Sequence, residues 1–236
     1  MSNEPTGHVV VRSIPRADGT TIDALAPIGT ATVHEAIGRR GYLDPDIRPI
    51  QNDVRIAGSA VTVSCHPGDN LMIHAAVEVC QPGDVLVVTT TAPSTHGMFG
   101  DLLASSLMAR GVRGLVMEAG VRDSADLRAM GFPVWTRHVS CEGTVKASPG
   151  SVNVPVVVGG QLVAPGDVVC ADDDGVVVVA RTGADRALDQ SHARLAREEA
   201  TRLRLAAGEL GVDMYGLRAI LERLGVTYVD TLDDLG

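Results

Sequence analysis

Between residues 84 and 137 the chain alternates two patterns. Short apolar runs at Asp84–Thr90, Val112–Val116 and Val134–Arg137 are separated by stretches of helical spacing at Gly100–Arg110 and Asp123–Met130. An apolar run of four to eight residues, rich in Val and bounded by turn residues, reads as a buried strand. Three such strands joined by two helices imply parallel pairing through helical crossovers. This rhythm sets the class as α/β. The flanks are less regular. Thr32-Val33-His34-Glu35 fits a capping box, with Gly38 and Gly41 around the end of that helix. A strand is expected over Val54–Cys65 and a helix over Asn70–Cys80, with Thr91–Phe99 as a loop.

After residue 150 the pattern shortens. Val154–Val158, Gln161–Val163, Val168–Ala171 and Val176–Ala180 read as antiparallel or mixed strands, with a tight turn at Asp174-Gly175. The triple acid Asp172-Asp173-Asp174 reads as a solvated turn before a buried strand rather than a metal cluster. The turn Pro-Gly-Asp recurs at 67, 82 and 165 and serves as punctuation. The C-terminal region is helical, at Ala184–Ala207 and Met214–Leu224. Leu188, His192, Leu195, Glu199, Leu203 and Ala206 share one face, so Glu199 interrupts a largely apolar stripe. Glu198 lies four residues from both Arg194 and Arg202, the spacing of exposed helical ion pairs. The expected organisation is one domain over 1–236 with a helical extension from about 184.

Composition narrows the function. The 236 residues are 45% hydrophobic and 21% charged, enough for a real core, and carry a net charge of -9. The basic residues are scattered, which argues against nucleic acid as a partner. No apolar run approaches the roughly 20 residues of a membrane span. The first 14 residues lack the apolar stretch of a secretory signal, so a cytoplasmic protein is expected. Cys65, Cys80, Cys141 and Cys170 form no CxxC pair and are expected to be reduced. Lys146 is the only lysine, so a Schiff-base mechanism would have a single candidate. Dinucleotide, P-loop, zinc-protease and serine-hydrolase motifs are absent. His34, His74 and His192 read as packing or surface residues; His96 lies in a candidate loop.

Ligands of parallel α/β sheets gather at the carboxyl ends of strands. Two such ends stand out. In the first, Thr89 to Leu103, a strand runs through a small-residue loop into a helix start. The free N–H groups of Gly100, Asp101, Leu102 and Leu103 would favour an anion there. Asp101 is either a helix cap or a site residue. The second, Glu118 to Asp126, places Arg122 beside Asp123. The Asp can hold a hard cation, and the Arg can stabilise an oxyanion. A helix cap with a surface ion pair is the competing reading.

Gly100-Asp101, then 20 residues, then Arg122-Asp123 resembles the signature of class II pyruvate aldolases that cleave 4-hydroxy-4-methyl-2-oxoglutarate and 4-carboxy-4-hydroxy-2-oxoadipate. The resemblance extends over most of the chain, through Thr30–Ala36, Lys146–Pro155, Ala171–Val178 and Ala206–Gly211, and the tail is most similar to the oxoadipate branch. It implies an α-β-β-α sandwich like the phosphohistidine swivelling domain, with C-terminal helices. It implies Asp123 as the direct ligand of Mg²⁺, Mn²⁺ or another divalent cation. Arg122 would bind the 2-keto oxygen, the backbone of Gly100, Asp101, Leu102 and Leu103 the pyruvyl carboxylate, and Asp101 a water. It further implies a trimer or hexamer with sites at subunit interfaces, where Glu198 or Glu199 of a neighbour approaches the metal waters. The implied reaction is retro-aldol cleavage of a 2-keto acid, with oxaloacetate decarboxylation as a side activity, in aromatic-acid catabolism. The same family includes the regulator of ribonuclease E activity, so a non-catalytic protein-binding regulator is the alternative.

Overall fold

The computed structural model describes residues 7–235. In chain order its elements are α1 (Gly19–Leu25), α2 (Thr30–Ala36), β1 (Arg48–Pro49), β2 (Ile56–Cys65), α3 (Leu71–Val77), β3 (Asp84–Thr90), β4 (Gly97–Phe99), α4 (Asp101–Ala109), β5 (Gly114–Val121), α5 (Ser124–Ala129) and β6 (Val134–Val139). There follow β7 (Ser151–Val152), β8 (Val156–Val158), β9 (Gln161–Val163), β10 (Val168–Asp172), β11 (Gly175–Val179), α6 (Ala184–Ala206), α7 (Gly211–Met214) and α8 (Arg218–Arg223). The chain divides into two compact units, one ending at Ser191 and one beginning at His192.

In the first unit the main sheet has the order β1-β6-β5-β3-β2-β10-β11. β2, β3, β5 and β6 are parallel, as the alternating pattern requires, and β10 and β11 return antiparallel. The sheet nearly closes on itself. Leu43 N–H donates to the Val176 carbonyl and Val178 N–H to that of Gly41, so residues 41–43 pair with β11. A few residues later β1 pairs with β6 at the opposite edge. One strap of chain thus joins both edges and leaves few unpaired strand groups.

Three apolar clusters give the layers. Val63, Leu86, Val88, Leu115 and Met117 pack outward against Ile73, Ala76, Leu107 and Leu127 from α3, α4 and α5. Val85, Val87, Val116, Trp135 and Val169 point inward, where Val156, Val158 and Val163 of the β8–β9 hairpin fill the interior. Ala57, Val168, Cys170 and Val177 face Ile22, Leu25, Val33 and the start of α6. The result is the expected α-β-β-α order, with the two β layers as halves of one curled sheet.

Several boundaries depart from the sequence reading, each for a physical reason. α2 begins at Thr30 with Gly29 at its N-cap, so Thr32 lies inside the helix and forms no capping box. A distant carboxylate takes that role: Asp172 accepts from Thr30 N–H at 2.8 Å and from its hydroxyl at 2.6 Å. Asp172 is therefore buried, not solvated. The expected loop over Thr91–Phe99 closes with a short strand, β4, which pairs with the upper half of β5. Gly120 makes this possible, because a Cβ there would stand 2.6 Å from the carbonyls of Thr95 and His96. β5 runs on past Val116 to Val121, since Glu118 is satisfied in the sheet by Arg137 at 3.1 Å and Thr89 at 3.3 Å. The expected helix Met214–Leu224 is broken, because Gly216 sits at φ 65° between α7 and α8.

Candidate active site

β4 and β5 end side by side and deliver both sequence-predicted segments to one place. The chain leaves β4 through Gly100 directly into α4 and leaves β5 through Arg122 and Asp123 into α5. Arg122 N–H donates to the Phe99 carbonyl at 2.8 Å, which locks the two exits together. Gly97 and Gly100 are required by this closeness. A Cβ on Gly97 would collide with the Ser140 carbonyl, and one on Gly100 with the Asp123 carboxylate.

Asp101 is the first residue of α4, and Gly100 is its N-cap with no side-chain capping bond. Asp101 therefore does not cap the helix, and the N–H groups of Leu102 and Leu103 remain open to a ligand. Asp123 occupies the N-cap position of α5 in the left-handed region, φ 55° and ψ 37°, and its side chain does not cap α5. Its carboxylate turns instead toward α4, accepting from Asp101 N–H at 3.4 Å, with Arg122 Nε at 3.5 Å. Those are weak contacts for a carboxylate. Arg122 is 45% exposed and Asp123 33%, so both groups can reach a ligand.

The cavity beside them, about 80 Å³, is lined by Gly97 to Leu103 and Arg122, and across from these by Asn70, His74 and Lys146. The sequence reading missed this second wall. His74 is expected there only as a packing or surface residue, and Lys146 only as the single candidate for a Schiff base. Topology brings them in: residues 145–148 are stitched to the turn before α3. Asn70 N–H donates to the Val145 carbonyl at 3.1 Å, and Asp69 accepts from Ala147 and Ser148 N–H at 2.7 and 2.6 Å. Burial raises the Asp69 carboxyl, but backbone donors from Leu71, Ala147 and Ser148 outweigh it and hold the group below its ordinary pKa. The His74 imidazole is pushed below its ordinary pKa, first by burial and then by the Lys146 charge. Lys146 itself is exposed. A Schiff-base lysine is activated by burial in an apolar pocket, so the exposure of Lys146 does not favour that reading.

No group of three or more His, Cys, Asp or Glu side chains among the described residues is placed to hold a metal ion. A multi-ligand zinc-type site is thus not formed. One underused, partly exposed carboxylate with room around it fits a different ion. A hard divalent cation held by Asp123 and completed by waters matches the habit of Mg²⁺. The triple acid does not compete. Asp172 is committed to Thr30 and to Asp174 N–H, and Asp173 accepts from Asp53 N–H.

His96 does not line the cavity; its ring lies 3.3 Å from Glu142 Oε1 on one side and 3.3 Å from Ser94 Oγ on the other. Burial pushes the thiols of Cys65, Cys80 and Cys170 up to about 12, and all four cysteines are free. In the second unit Glu198 pairs with Arg194 at 2.6 Å, and Glu199 pairs with Arg202. Glu199 is exposed, as are Leu195 and Leu203 of its stripe, so that face is not a packing face within the chain's own second unit.

The fold and this site define a mixed α/β protein with a small cavity, lined by Arg122 and the start of α4, at parallel strand ends. The chain belongs to the Aldolase/RraA family, whose RraA-like model matches residues 30–178. It is 28% identical over 197 residues, 84% of this chain and 91% of the relative, to a protein of Halalkalibacterium halodurans named "Putative 4-hydroxy-4-methyl-2-oxoglutarate aldolase". A Burkholderia multivorans protein of the same name is 36% identical over 145 residues, 61% of this chain and 88% of the relative. Among solved structures, Streptomyces coelicolor RraAS2, described as an unusual member of the RNase ES inhibitor RraA protein family, superposes with a TM-score of 0.72. The identity is 32%, over 80% of this chain and all of that one. Among the described residues, no helix is long and apolar enough to cross a membrane.

Proposed function

We propose that this protein is a divalent-metal-dependent pyruvate aldolase. It cleaves 4-carboxy-4-hydroxy-2-oxoadipate to pyruvate and oxaloacetate, and 4-hydroxy-4-methyl-2-oxoglutarate to two pyruvates. The observation that carries this reading is the Arg122–Asp123 pair set against the open start of α4. The N–H groups of Asp101 to Leu103 hold the carboxylate of a 2-keto acid, helped by the helix dipole. The Arg122 guanidinium donates to the 2-keto oxygen and stabilises the charge that develops on it. Asp123 holds Mg²⁺ or Mn²⁺, which when bound supplies Lewis-acid polarisation of the 2-keto group. The C4 hydroxyl loses its proton to water as the C3–C4 bond breaks; C4 becomes a carbonyl, and the bonding pair passes to the enolate of pyruvate. Asp101 orients the water that returns a proton to C3. The same enolate forms when oxaloacetate loses carbon dioxide, which gives the side activity.

The second unit supports an oligomer. It exposes Leu203, Leu205, Ile220, Leu224 and Tyr228, large apolar side chains that a subunit interface would cover. A trimer or hexamer that covers these residues would bring Glu198 or Glu199 of the partner subunit to the waters at Asp123. The likeness to RraAS2 favours a second reading, inhibition of a ribonuclease by contact.

The test is pyruvate release from 4-carboxy-4-hydroxy-2-oxoadipate, with and without EDTA, by wild type and Asp123→Ala. Loss with EDTA, return with Mg²⁺ and absence in the variant are expected. Activity that survives EDTA would send the mechanism to Lys146. No activity on any pyruvyl substrate, with capture of ribonuclease E, would establish the regulator.

A further inference from the structure

Asn70 occupies the N-cap position of α3, where an Asn side chain ordinarily accepts from a helix N–H. Here it caps nothing. Its neighbour Asp69 takes over, accepting from Leu71 N–H at 2.9 Å. Asn70 is instead one of the residues that line the cavity, and it is only 7% exposed. Its Nδ2 donates to the Met98 carbonyl at 3.0 Å. That bond fixes which way the amide points, because a flip would set oxygen against oxygen. Oδ1 is then left buried with no hydrogen-bond partner among the described residues. A buried acceptor without a donor costs stability, and native structures retain few of them.

The chemistry of the lining says what such an acceptor is for. Arg122, Lys146 and the N–H groups of α4 are donors, suited to carboxylate and keto oxygens. A plain 2-keto acid at neutral pH has no donor to give Asn70. A hydroxyl on the carbon chain does. We propose that Asn70 Oδ1 accepts a hydrogen bond from the C4 hydroxyl of the substrate and so selects 4-hydroxy acids over plain 2-keto acids. This rests on the aldolase reading above. A neutral amide does not remove the hydroxyl proton. It holds the O–H in one direction, so that the carbon chain is oriented before the bond breaks.

The experiment separates the two claims by using ligands that cannot be cleaved. Reducing the 2-keto group to an alcohol removes the electron sink, so 2,4-dihydroxyglutarate and 2-hydroxyglutarate differ only in the 4-hydroxyl. Calorimetry with excess Mg²⁺ on the full chain gives the affinity for each. Wild type is expected to bind the dihydroxy acid about 3- to 10-fold more tightly, the range of one net hydrogen bond. Asn70→Leu is expected to bring that ratio to about 1, whatever the variant does to the two affinities in common. A wild-type ratio near 1 overturns the inference without any variant, so a misfolded Asn70→Leu does not shelter it. A preference that persists in a folded Asn70→Leu overturns it too. Binding of neither ligand, with no pyruvate released from any substrate, overturns the aldolase reading and this inference with it.

Discussion

Two strand ends carry acidic residues, Asp172–Asp174 at the end of β10 and Arg122–Asp123 after β5, and they spend their carboxylates differently. Asp172 is buried and fully engaged: two bonds from Thr30 and one from Asp174 N–H fill its oxygens. It fastens α2 to the sheet across 142 residues of sequence. Asp123 stands at the N-cap of α5 yet does not cap it, holds its nearest donors at 3.4 and 3.5 Å, and keeps a third of its side chain open. The richer acidic cluster is architecture, and the lone acid is available for chemistry. Charge count at a strand end is therefore a poor guide to a site. What separates the two is how many protein donors each carboxylate already has.

Substitutions at the two strand ends should pull activity and stability apart. The largest effect is expected for Asp123→Asn. Asn tolerates the left-handed backbone and nearly keeps the shape, but it gives up the anionic ligand. The aldolase kcat/KM should fall about 1000-fold, the scale of several kcal/mol of Lewis-acid stabilisation. The stability from urea unfolding should stay within about 0.5 kcal/mol of wild type, because the one backbone contact at stake, from Asp101 N–H at 3.4 Å, is long and weak. An unchanged rate, or a loss of stability as large as the loss of activity, would place Asp123 with Asp172 as architecture.

The converse is expected of Asp172→Ala. It removes the distant cap of α2 and leaves the buried Thr30 N–H and hydroxyl without their acceptor. Stability should drop by about 2–3 kcal/mol, read as a shift of the urea midpoint. The rate per folded molecule should stay near wild type. A specific loss of Mg²⁺-dependent activity in a variant that remains folded would mean that the triple acid belongs to the site after all.

Much of this contrast can be read in the sequence, and the remainder has identifiable causes. The run DVLVVTT matches β3 residue for residue, because a doubly buried strand has no alternative use for five such side chains. The glycine at 100 and the Arg-Asp pair at 122 were readable because strand ends and helix starts bear local signals. The role of Asp172 was not, since its partner Thr30 lies far away in sequence and the capping box at Thr32 offered a local alternative. Asn70, His74 and Lys146 were hidden for the same reason. Nothing near Lys146 in sequence signals a cavity. It reaches the cavity through bonds from 145–148 to the turn at 68–70, a pairing of segments about 78 residues apart.

That long-range stitching has a consequence that needs no enzyme assay. His74 and Lys146 line the same cavity as Arg122, and the Lys146 charge is the second cause, after burial, of the lowered His74 pKa. Lys146→Met keeps much of the stem and deletes the charge. The His74 ring resonances should then titrate at higher pH than in wild type, yet still below the ordinary value near 6.5, because burial is the larger cause and remains. The linkage follows in sign. With its folded pKa depressed, His74 refuses a proton that the unfolded chain accepts, so stability is lost as pH falls from about 6.5 toward the folded pKa. Lys146→Met should lose less stability over that window than wild type. A titration of His74 that does not move in the variant would show that the ammonium lies too far from the imidazole, and from the cavity, to act on an anion held between the two walls. The Asp123 side of the comparison would then stand as the site's only charged wall.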